Sequence, residues 1–251
     1  LEQGQSFYIS VRSYSVFGNP NIYGLYLLSI LILALSGISS KGRIYRALPL
    51  AALTLGLISL FFTYSRTVWF LGIAAMILWF GKGFFSNRLL YLWMGILVLL
   101  NLEGFKARII RPENLSESTL GFRIQIWRNT LKIIGDYWQW GSGPGSFGEA
   151  YGSFSMANGM FQGMVQHGHQ LYLQLWLENG FISLAAFFRV IVKSLTGFTS
   201  FQGSVKAVAL VIVIYLAAGF METWWAHQFL GGYFWLLIGL LQSMRAGQID
   251  S

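Results

Sequence analysis

The sequence PNIYGLYLLSILILALSGI, residues 20–38, has no charged side chain and matches the roughly 20 residues that a helix needs to cross a bilayer. Six more apolar runs occur along the chain, at 47–64, 66–81, 88–102, 169–192, 207–221 and 228–244. The whole chain is 55% hydrophobic and only 10% charged, whereas soluble domains carry roughly 25% charged residues. The sequence therefore predicts an all-α, polytopic transmembrane helix bundle of about seven spans that forms one membrane domain, 1–251.

The charged side chains indicate the orientation of these spans. Basic residues gather in alternate connections and after the last run, namely Lys41, Arg43, Arg46, Lys82, Arg88, Arg189, Lys193, Lys206 and Arg245. Because Lys and Arg accumulate on the cytoplasmic side of membrane proteins, we expect these connections to be cytoplasmic and the long loop 103–168 to be extracytoplasmic. The same placement accounts for the net charge of +8, so nucleic acid is not an expected partner.

Two features that the sequence lacks limit the chemistry that the protein can perform and bear on the extent of the whole protein. The chain has no cysteine, which excludes disulfides, thiolate metal sites and a cysteine nucleophile. It begins with Leu1 and shows no signal peptide. We therefore expect it to be a fragment of a protein that has further N-terminal spans.

Segment 119–136 of the long loop is predicted to be an amphipathic helix. Its apolar stripe has the spacing of one helix face and consists of Leu120, Ile124, Trp127, Leu131 and Ile134. Its polar face carries Gln125, Arg128, Asn129 and Lys132. Arg123 projects beside the stripe, which leaves two interpretations open. Either the helix lies on the membrane surface with Arg123 reaching toward the headgroups, or Arg123 faces inward toward a bound anion.

The predicted helix is followed by Trp138, Trp140 and a glycine-rich run, GSGPGSFG at 141–148. Glycine-rich backbone can bind phosphate through successive N–H groups, but this run lacks the Lys-Ser/Thr pair of a P-loop. We therefore expect a tight turn at the membrane interface, with the two tryptophans as anchors.

The sequence HGHQLYLQLWLENG, residues 167–180, places a histidine at the start of the fifth apolar run. A neutral imidazole at His169 would suit general-base catalysis; the alternative is an interfacial histidine bonded to the backbone. Glu178 lies about 13 Å deeper along a helix, and a carboxylate at that depth needs a partner. His167 and His169 have no third ligand at metal-binding spacing nearby, so we expect no metal and no other cofactor.

Three more features lie on the predicted outer side. Asn19 and Pro20, in FGNPN at 17–21, have the arrangement that begins a helix. Arg66 lies between the second and third runs, where a charge is costly unless it is functional or reaches the interface. Glu222 follows the sixth run, either paired with an outer arginine or as a plain interfacial acid. The outer polar groups together indicate an amphiphilic anion such as a lipid pyrophosphate; they are Arg66, Arg123, Arg128, Lys132, His169 and Glu222.

This combination resembles the O-antigen ligase and O-antigen polymerase superfamily of bacterial envelope proteins. The motifs that carry the resemblance are FGNPN, Ser65-Arg66, Arg123-x-x-x-Trp127 followed by WQWGSGPGSF at 138–147, and His169 with Leu173, Glu178 and Gly180. Their order extends over nearly the whole chain. The chain departs from the family pattern in two ways: it has Gln170 where members often have Asn, and it lacks their additional N-terminal spans.

The resemblance implies a membrane glycosyltransferase that moves a glycan from undecaprenyl pyrophosphate to an acceptor hydroxyl on a glycan or lipid. It implies a multi-pass protein of the bacterial inner membrane with its active face outside, and neither a nucleotide sugar nor a required metal. By resemblance, Arg66 and Arg123 hold the pyrophosphate and His169 deprotonates the acceptor. The further candidate substrate-binding residues are Arg128, Glu178 and Glu222.

Two other functions are compatible with the sequence. Some relatives of the superfamily have been described as inorganic-carbon transporters, and the outer basic residues would suit a small anion such as bicarbonate. A transporter is expected to place polar groups near the bilayer midplane, where Glu178 is the main candidate. The third possibility, a non-catalytic membrane scaffold, predicts that the outer charges tolerate substitution.

Overall fold

The computed structural model describes residues 13–38, 43–81, 119–159 and 165–249. All regular structure within these ranges is helical, which confirms the predicted all-α class. The α-helices, numbered here in chain order, are α1 (Pro20–Gly37), α2 (Arg43–Phe62), α3 (Arg66–Phe80), α4 (Thr119–Tyr137), α5 (Phe147–Ala157), α6 (Leu171–Leu195), α7 (Gly203–Ala218) and α8 (Gln228–Ile249). Short 3₁₀ turns occur at Ser15–Phe17, Phe198–Ser200 and Trp224–Ala226.

Two helical stretches among the described residues have both the length and the hydropathy of a membrane span. They are α1 and Leu171–Ser200, which comprises α6 and the turn that follows it. Three further helices are apolar but shorter, at Ala47–Phe62, Arg66–Phe80 and Gly203–Ala218. The predicted run 88–102 lies outside the described residues, and the total of seven spans stays a prediction.

Helix α1 begins where the sequence predicts. The Asn19 side chain accepts a hydrogen bond from the Asn21 backbone N–H at 2.8 Å, and Pro20 occupies the first helical position. Both features favour a helix start, because the cap satisfies an otherwise unpaired N–H and proline has no N–H to satisfy. The structural role predicted for FGNPN is confirmed.

The described residues divide into two compact units. The first contains α1, α2, α3, α7, α8 and the end of α6 from Ser194 onward. The second contains α4, α5, α6 as far as Lys193, and the segment Gly219–Ala226. Each unit buries apolar side chains of its own.

Helix α7 is the central helix of the first unit. It contacts α1, α3 and α8. Six of its residues have no exposed surface, namely Ala207, Ala209, Leu210, Val211, Ile212 and Tyr215. A helix that is apolar on all sides must be surrounded by apolar material, and here the neighbouring helices supply it.

Two basic residues that we predict to be cytoplasmic bind helix C-termini in the first unit. Lys206 donates to the Trp79 carbonyl at 2.7 Å, in the last turn of α3. Arg245 donates to the Ser194 carbonyl at 2.9 Å, at the end of α6. The last carbonyls of a helix lack intrahelical partners and carry partial negative charge, so a nearby cation stabilises them.

The second unit is built around a core shared by α4, α5 and α6. Its buried members are Ile126, Ile133, Ile134, Phe147, Tyr151 and Leu177. The helix predicted at 119–136 is confirmed, since α4 covers Thr119–Tyr137. Part of the predicted loop 103–168 lies outside the described residues.

Helix α6 is interrupted at Gly180, whose backbone has φ 75° and ψ 172°. The Phe181 N–H, which a continuous helix would direct to the Leu177 carbonyl, donates to the Trp138 carbonyl at 2.9 Å. A side chain at position 180 would collide with the backbone of Gln139 and Trp140. Only glycine meets both the backbone angle and the close approach.

The glycine-rich segment donates hydrogen bonds to the carbonyls that this break leaves without helical partners. The Leu177 carbonyl accepts from the Ser142 N–H at 2.8 Å, and the Glu178 carbonyl accepts from the Gly143 N–H at 3.0 Å. The turn predicted at 141–148 therefore has a packing role, because it supplies donors to a broken helix. The anchoring of Trp138 and Trp140 at a membrane interface stays a prediction.

We expect Gly180→Ala to destabilise the protein by at least about 3 kcal/mol, because alanine is both strained at this φ and too large for the contact with residue 139. For a chain of this size the change corresponds to a fall of about 6–12 °C in melting temperature. Thermal unfolding of the detergent-solubilised protein measures it.

Gly152→Ala is the matched control, because Gly152 is in α5 and a Cβ there meets nothing within 4 Å. Alanine favours a helix by about 1 kcal/mol over glycine, so this variant should melt at the wild-type temperature or slightly above. Equal melting temperatures for the two variants would contradict the role assigned to Gly180.

Candidate functional site

His169 lies in the turn that leads into α6. Its backbone φ is +48°, in the left-handed region that few non-glycine residues adopt. The Gln170 side-chain oxygen accepts a hydrogen bond from the Leu173 N–H and so caps the first turn of the helix. The His169 side chain is 35% exposed, so solvent reaches the imidazole while its backbone is held.

Gly168, the residue before His169, is bonded through both of its backbone polar groups. Its N–H donates to the Gln174 side-chain oxygen at 3.0 Å, and its carbonyl accepts from Trp127 Nε1 at 3.1 Å. A Cβ at position 168 would lie 3.0 Å from the Phe147 ring. The peptide that carries His169 is therefore fixed from α4, α5 and α6.

Arg123 and Glu222 form an ion pair that joins α4 to the segment Gly219–Ala226. Arg123 Nη2 lies 2.8 Å from Glu222 Oε1, and the two side chains are 13% and 6% exposed. Arg123 Nη1 donates to the Met221 carbonyl at 2.8 Å. The pairing of Glu222 with an outer arginine, which the sequence left open, is thus found in the structure.

His169 lies beside the same carboxylate. Its Nδ1 atom is 4.0 Å from Glu222 Oε2, while Glu222 Oε1 faces Arg123. The separation is too long for a hydrogen bond. The cluster combines an imidazole, a carboxylate and a guanidinium group.

The segment that carries Glu222 is packed against α6. The Leu171 N–H donates to the Gly219 carbonyl at 2.7 Å. The rings of Tyr172 and Phe220 lie 4.9 Å apart between centroids. The first turn of α6 therefore holds both His169, which precedes it, and the segment that supplies Glu222.

The apolar stripe predicted for α4 is buried only in part: Ile134 is 3% exposed and Trp127 packs against the core. Ile124 and Leu131 are 36% and 52% exposed, whereas Asn129, predicted to lie on the polar face, is only 5% exposed. The Asn129 amide donates to the Tyr151 hydroxyl at 3.1 Å, which permits its burial. The helix is rotated so that Ile126 and Ile133 face α5 and α6, and Arg123 shares that inward side.

Arg128 lies on another face of α4, about 140° around the helix axis from Arg123 at 100° per residue. It is exposed and lines a groove of about 550 Å³ that also contains Gly121, Ile124, Gln125, Asn129, Leu131 and Lys132. The structure therefore does not bring Arg128 to the cluster of Arg123, Glu222 and His169. The groove combines two cations with apolar side chains.

Glu178 is buried, and it has the partners that its predicted depth demands. It accepts a hydrogen bond from Gln174 Nε2 at 2.9 Å and another from the Phe147 N–H at 3.3 Å. These donors belong to the protein itself. Contact between Glu178 and a substrate stays a prediction.

Gln174 and Gly168 also belong to this cluster of contacts, although neither was predicted from the sequence. Gln174 is four residues before Glu178 in an otherwise apolar run, and residues four apart face each other on a helix. That spacing could have identified the pair. No comparable signal marks Gly168, whose partner Trp127 is 41 residues away in the chain.

Arg66 belongs to the first compact unit, where it is the first residue of α3 and is exposed. The preceding Ser65 hydroxyl donates to the Asn21 side-chain oxygen at 2.7 Å. The NPN and Ser-Arg motifs, 44 residues apart in the chain, therefore meet at the starts of α1 and α3. Cooperation between Arg66 and His169 stays a prediction.

Within the described parts of the chain, no three His, Cys, Asp or Glu side chains are placed to hold a metal ion. Glu222 is already shared by Arg123 and His169, and His167 is exposed in the preceding turn.

Comparison with known families gives one match that covers more than half of the chain. Residues 50–188 match the O-antigen ligase family, a range that includes Arg66, α4, the glycine-rich turn and the His169–Gly180 stretch. Among curated proteins, no sequence matches this chain. The chain therefore belongs to the O-antigen ligase family of membrane glycan-transferring enzymes.

Proposed function

We propose that this protein transfers a glycan from a polyprenyl-pyrophosphate carrier, of the undecaprenyl type, to a hydroxyl group of a glycan or lipid acceptor. The observation that carries the proposal is the shared Glu222 carboxylate, which lies between the Arg123 guanidinium and the His169 imidazole. Membership of the O-antigen ligase family supports it.

The chemistry of this transfer needs two things from the protein. The carrier pyrophosphate becomes a good leaving group once its developing negative charge is stabilised, and a guanidinium fork binds phosphate oxygens in pairs. The acceptor hydroxyl must be oriented and relieved of its proton as it attacks. We assign the first task to Arg123 with Arg66, and the second to His169. Neither task requires a metal ion.

We assign Glu222 the role of holding the Arg123 and His169 side chains in fixed positions relative to each other. Without substrate, the carboxylate neutralises the guanidinium group at 2.8 Å. A pyrophosphate carries more charge and offers the same paired oxygens, so it competes for the arginine. Arg123 would then bind the donor while Glu222 remains beside His169 Nδ1 and favours the imidazolium ion that forms when the base accepts a proton.

Arg128 lies in the groove along α4, and we assign it a role separate from that of Arg123. Its two cations, Arg128 and Lys132, lie beside Ile124 and Leu131. An oligosaccharide on a lipid carrier has polar and charged groups as well as apolar ring faces, and it would fit such a lining. We assign this groove to the glycan or carrier rather than to the reacting atoms.

The proposal places the chain in the bacterial inner membrane as a multi-pass protein of about seven spans and one membrane domain. The loop 103–168 and the cluster around His169 would face outward. The positive-inside distribution of Lys and Arg supports this orientation. The capping of helix C-termini by Lys206 and Arg245 agrees with a common side for these two residues.

His169→Ala should lower glycan transfer by about 10²–10⁴-fold, the usual contribution of a positioned general base. Membranes from a strain that lacks the gene, complemented with wild type or with the variant, allow the comparison of surface glycan and lipid-linked intermediates. The variant should accumulate lipid-linked glycan. His167→Ala, in the same turn but exposed, is the control and should complement fully.

Full complementation by correctly inserted His169→Ala would refute the assigned role of this residue. Unchanged glycans in the strain that lacks the gene would refute the transferase function itself. In that case bicarbonate flux into proteoliposomes would be the next measurement.

Arg123→Lys should lower transfer by about 10²-fold, although the charge is kept, because a lysine ammonium cannot bind two oxygens in a fixed plane. Arg123→Ala should lower transfer further, because it also removes the guanidinium partner of the buried Glu222 carboxylate. Arg189→Ala removes an exposed arginine of the same compact unit and should have wild-type activity. Transfer by Arg123→Lys at the wild-type rate would exclude a paired-oxygen role for Arg123.

A further inference from the structure

A chain of buried hydrogen bonds links Glu178 to the turn of His169. Gln174 and Glu178 are 7% and 9% exposed and occupy successive turns of α6. Gln174 Nε2 donates to Glu178 Oε1 at 2.9 Å. The Gly168 N–H donates to Gln174 Oε1 at 3.0 Å, and Gly168 directly precedes His169.

An acceptor at one end, the Glu178 carboxylate, and a donor at the other, the Gly168 N–H, together fix the direction of this chain. An ionised carboxylate only accepts hydrogen bonds, so the Gln174 amide must turn its NH₂ group toward Glu178. The Gln174 carbonyl oxygen then has to face Gly168, where an N–H group needs an acceptor. With the amide turned the other way, the NH₂ group would oppose the Gly168 N–H and a carbonyl oxygen would oppose the carboxylate.

The chain of hydrogen bonds reaches the turn at His169, whose backbone conformation needs support. His169 has φ +48°, and a non-glycine residue in that region persists only where the surroundings hold it. The Gly168 carbonyl is held by Trp127 at 3.1 Å, and its N–H is held by Gln174. The N–H belongs to the 167–168 peptide and the carbonyl to the 168–169 peptide. Loss of either bond would allow one of these two peptides to rotate and the imidazole to move away from Glu222.

The cost of burying Glu178 argues that the carboxylate has a purpose beyond packing. Among the described residues its side chain contacts only neutral donors, the Gln174 amide and the Phe147 N–H. Replacing a buried charged group with an apolar side chain is often neutral or stabilising, and α6 is apolar around this position. Apolar side chains would meet the packing requirement, and only the Gly168 and Phe147 N–H groups require acceptors here.

We propose that Gln174 and Glu178 are positioning residues for His169: the buried carboxylate orients the Gln174 amide, which fixes the Gly168 peptide and thereby the imidazole beside Glu222. The inference rests on the proposed function, in which His169 is the base. Neither residue touches the reacting atoms, so their effect should appear in the rate of the chemical step rather than in the binding of the donor.

Exchanging the two side chains tests this directly. In the double variant Gln174→Glu/Glu178→Gln, the carboxylate at position 174 accepts from the Gly168 N–H and from the amide at position 178. The amide oxygen at position 178 still accepts from the Phe147 N–H. In the wild type one carboxylate oxygen, Glu178 Oε1, accepts both bonds, so the amide at position 178 has to turn its NH₂ group toward position 174 and its oxygen toward the Phe147 N–H. With that rotation each hydrogen bond of the chain has a counterpart.

The single variants break the chain in different ways. Gln174→Glu places two carboxylates against each other in a buried site, so kcat should fall about 10²-fold, the effect of a misplacement of about 1 Å. Glu178→Gln keeps an acceptor oxygen but replaces a charge-assisted hydrogen bond with a weaker neutral one, so the Gln174 amide is held less firmly and kcat should fall about tenfold. In both variants, KM for the lipid-linked donor should stay within about twofold, because the donor-binding groups are untouched.

The assay uses the full chain in membranes, with a lipid-linked oligosaccharide donor varied in concentration and the transferred glycan measured. The exchange variant should recover kcat to within about threefold of wild type. Such a recovery is expected when two residues are coupled through one hydrogen-bond network. Gln202→Glu, which adds a carboxylate at an exposed glutamine before α7, is the control and should have wild-type kcat and KM.

The inference would be overturned by a folded exchange variant that is as slow as Gln174→Glu, or by single variants with wild-type kcat. Where the single variants fail to insert, the exchange variant alone decides, because it preserves the bonds. Failure of the proposed function gives a different pattern: the wild-type protein transfers no glycan, or His169→Ala transfers it at full rate.

Discussion

The interruption of α6 at Gly180 is the constraint from which the second compact unit is built. Because the helix breaks, the Leu177 and Glu178 carbonyls are available to the Ser142 and Gly143 N–H groups, and the glycine-rich turn is bound in place. That turn leads into α5, whose first residue, Phe147, donates its N–H to the Glu178 side chain. One backbone irregularity thus fixes the turn, the start of α5 and the surroundings of a buried carboxylate.

Two buried carboxylates of this unit have opposite surroundings and, in the proposed mechanism, different tasks. Glu222 is paired with a guanidinium group at 2.8 Å, an interaction that a competing pyrophosphate can replace. Glu178 accepts hydrogen bonds from two neutral groups of the protein, which suits a permanent support. In the proposed mechanism both carboxylates act on His169: Glu222 faces its imidazole, and Glu178 holds its backbone through Gln174.

The sequence predicts what local patterns determine. Asn19 and Pro20 identify the start of α1, the spacing of apolar residues identifies α4, and the isolated charges identify Arg123 and Glu222 as groups that need partners. The burial of Asn129 was not predicted, because a side-chain amide is typical of a surface position; here the Tyr151 hydroxyl accepts a hydrogen bond from it. The bond between Trp127 and Gly168 joins residues far apart in the chain, and no local pattern encodes it. The placement of Arg66 relative to His169 belongs to the same class of long-range information.

Glycan transfer can be measured with the purified protein in proteoliposomes, supplied with a polyprenyl-pyrophosphate oligosaccharide and an acceptor glycan or lipid. The account predicts a longer product, the release of polyprenyl pyrophosphate in equal amount, and loss of both with His169→Ala. Wild-type proteoliposomes that form no product over a range of acceptors, or that form it equally well with His169→Ala, would contradict the account.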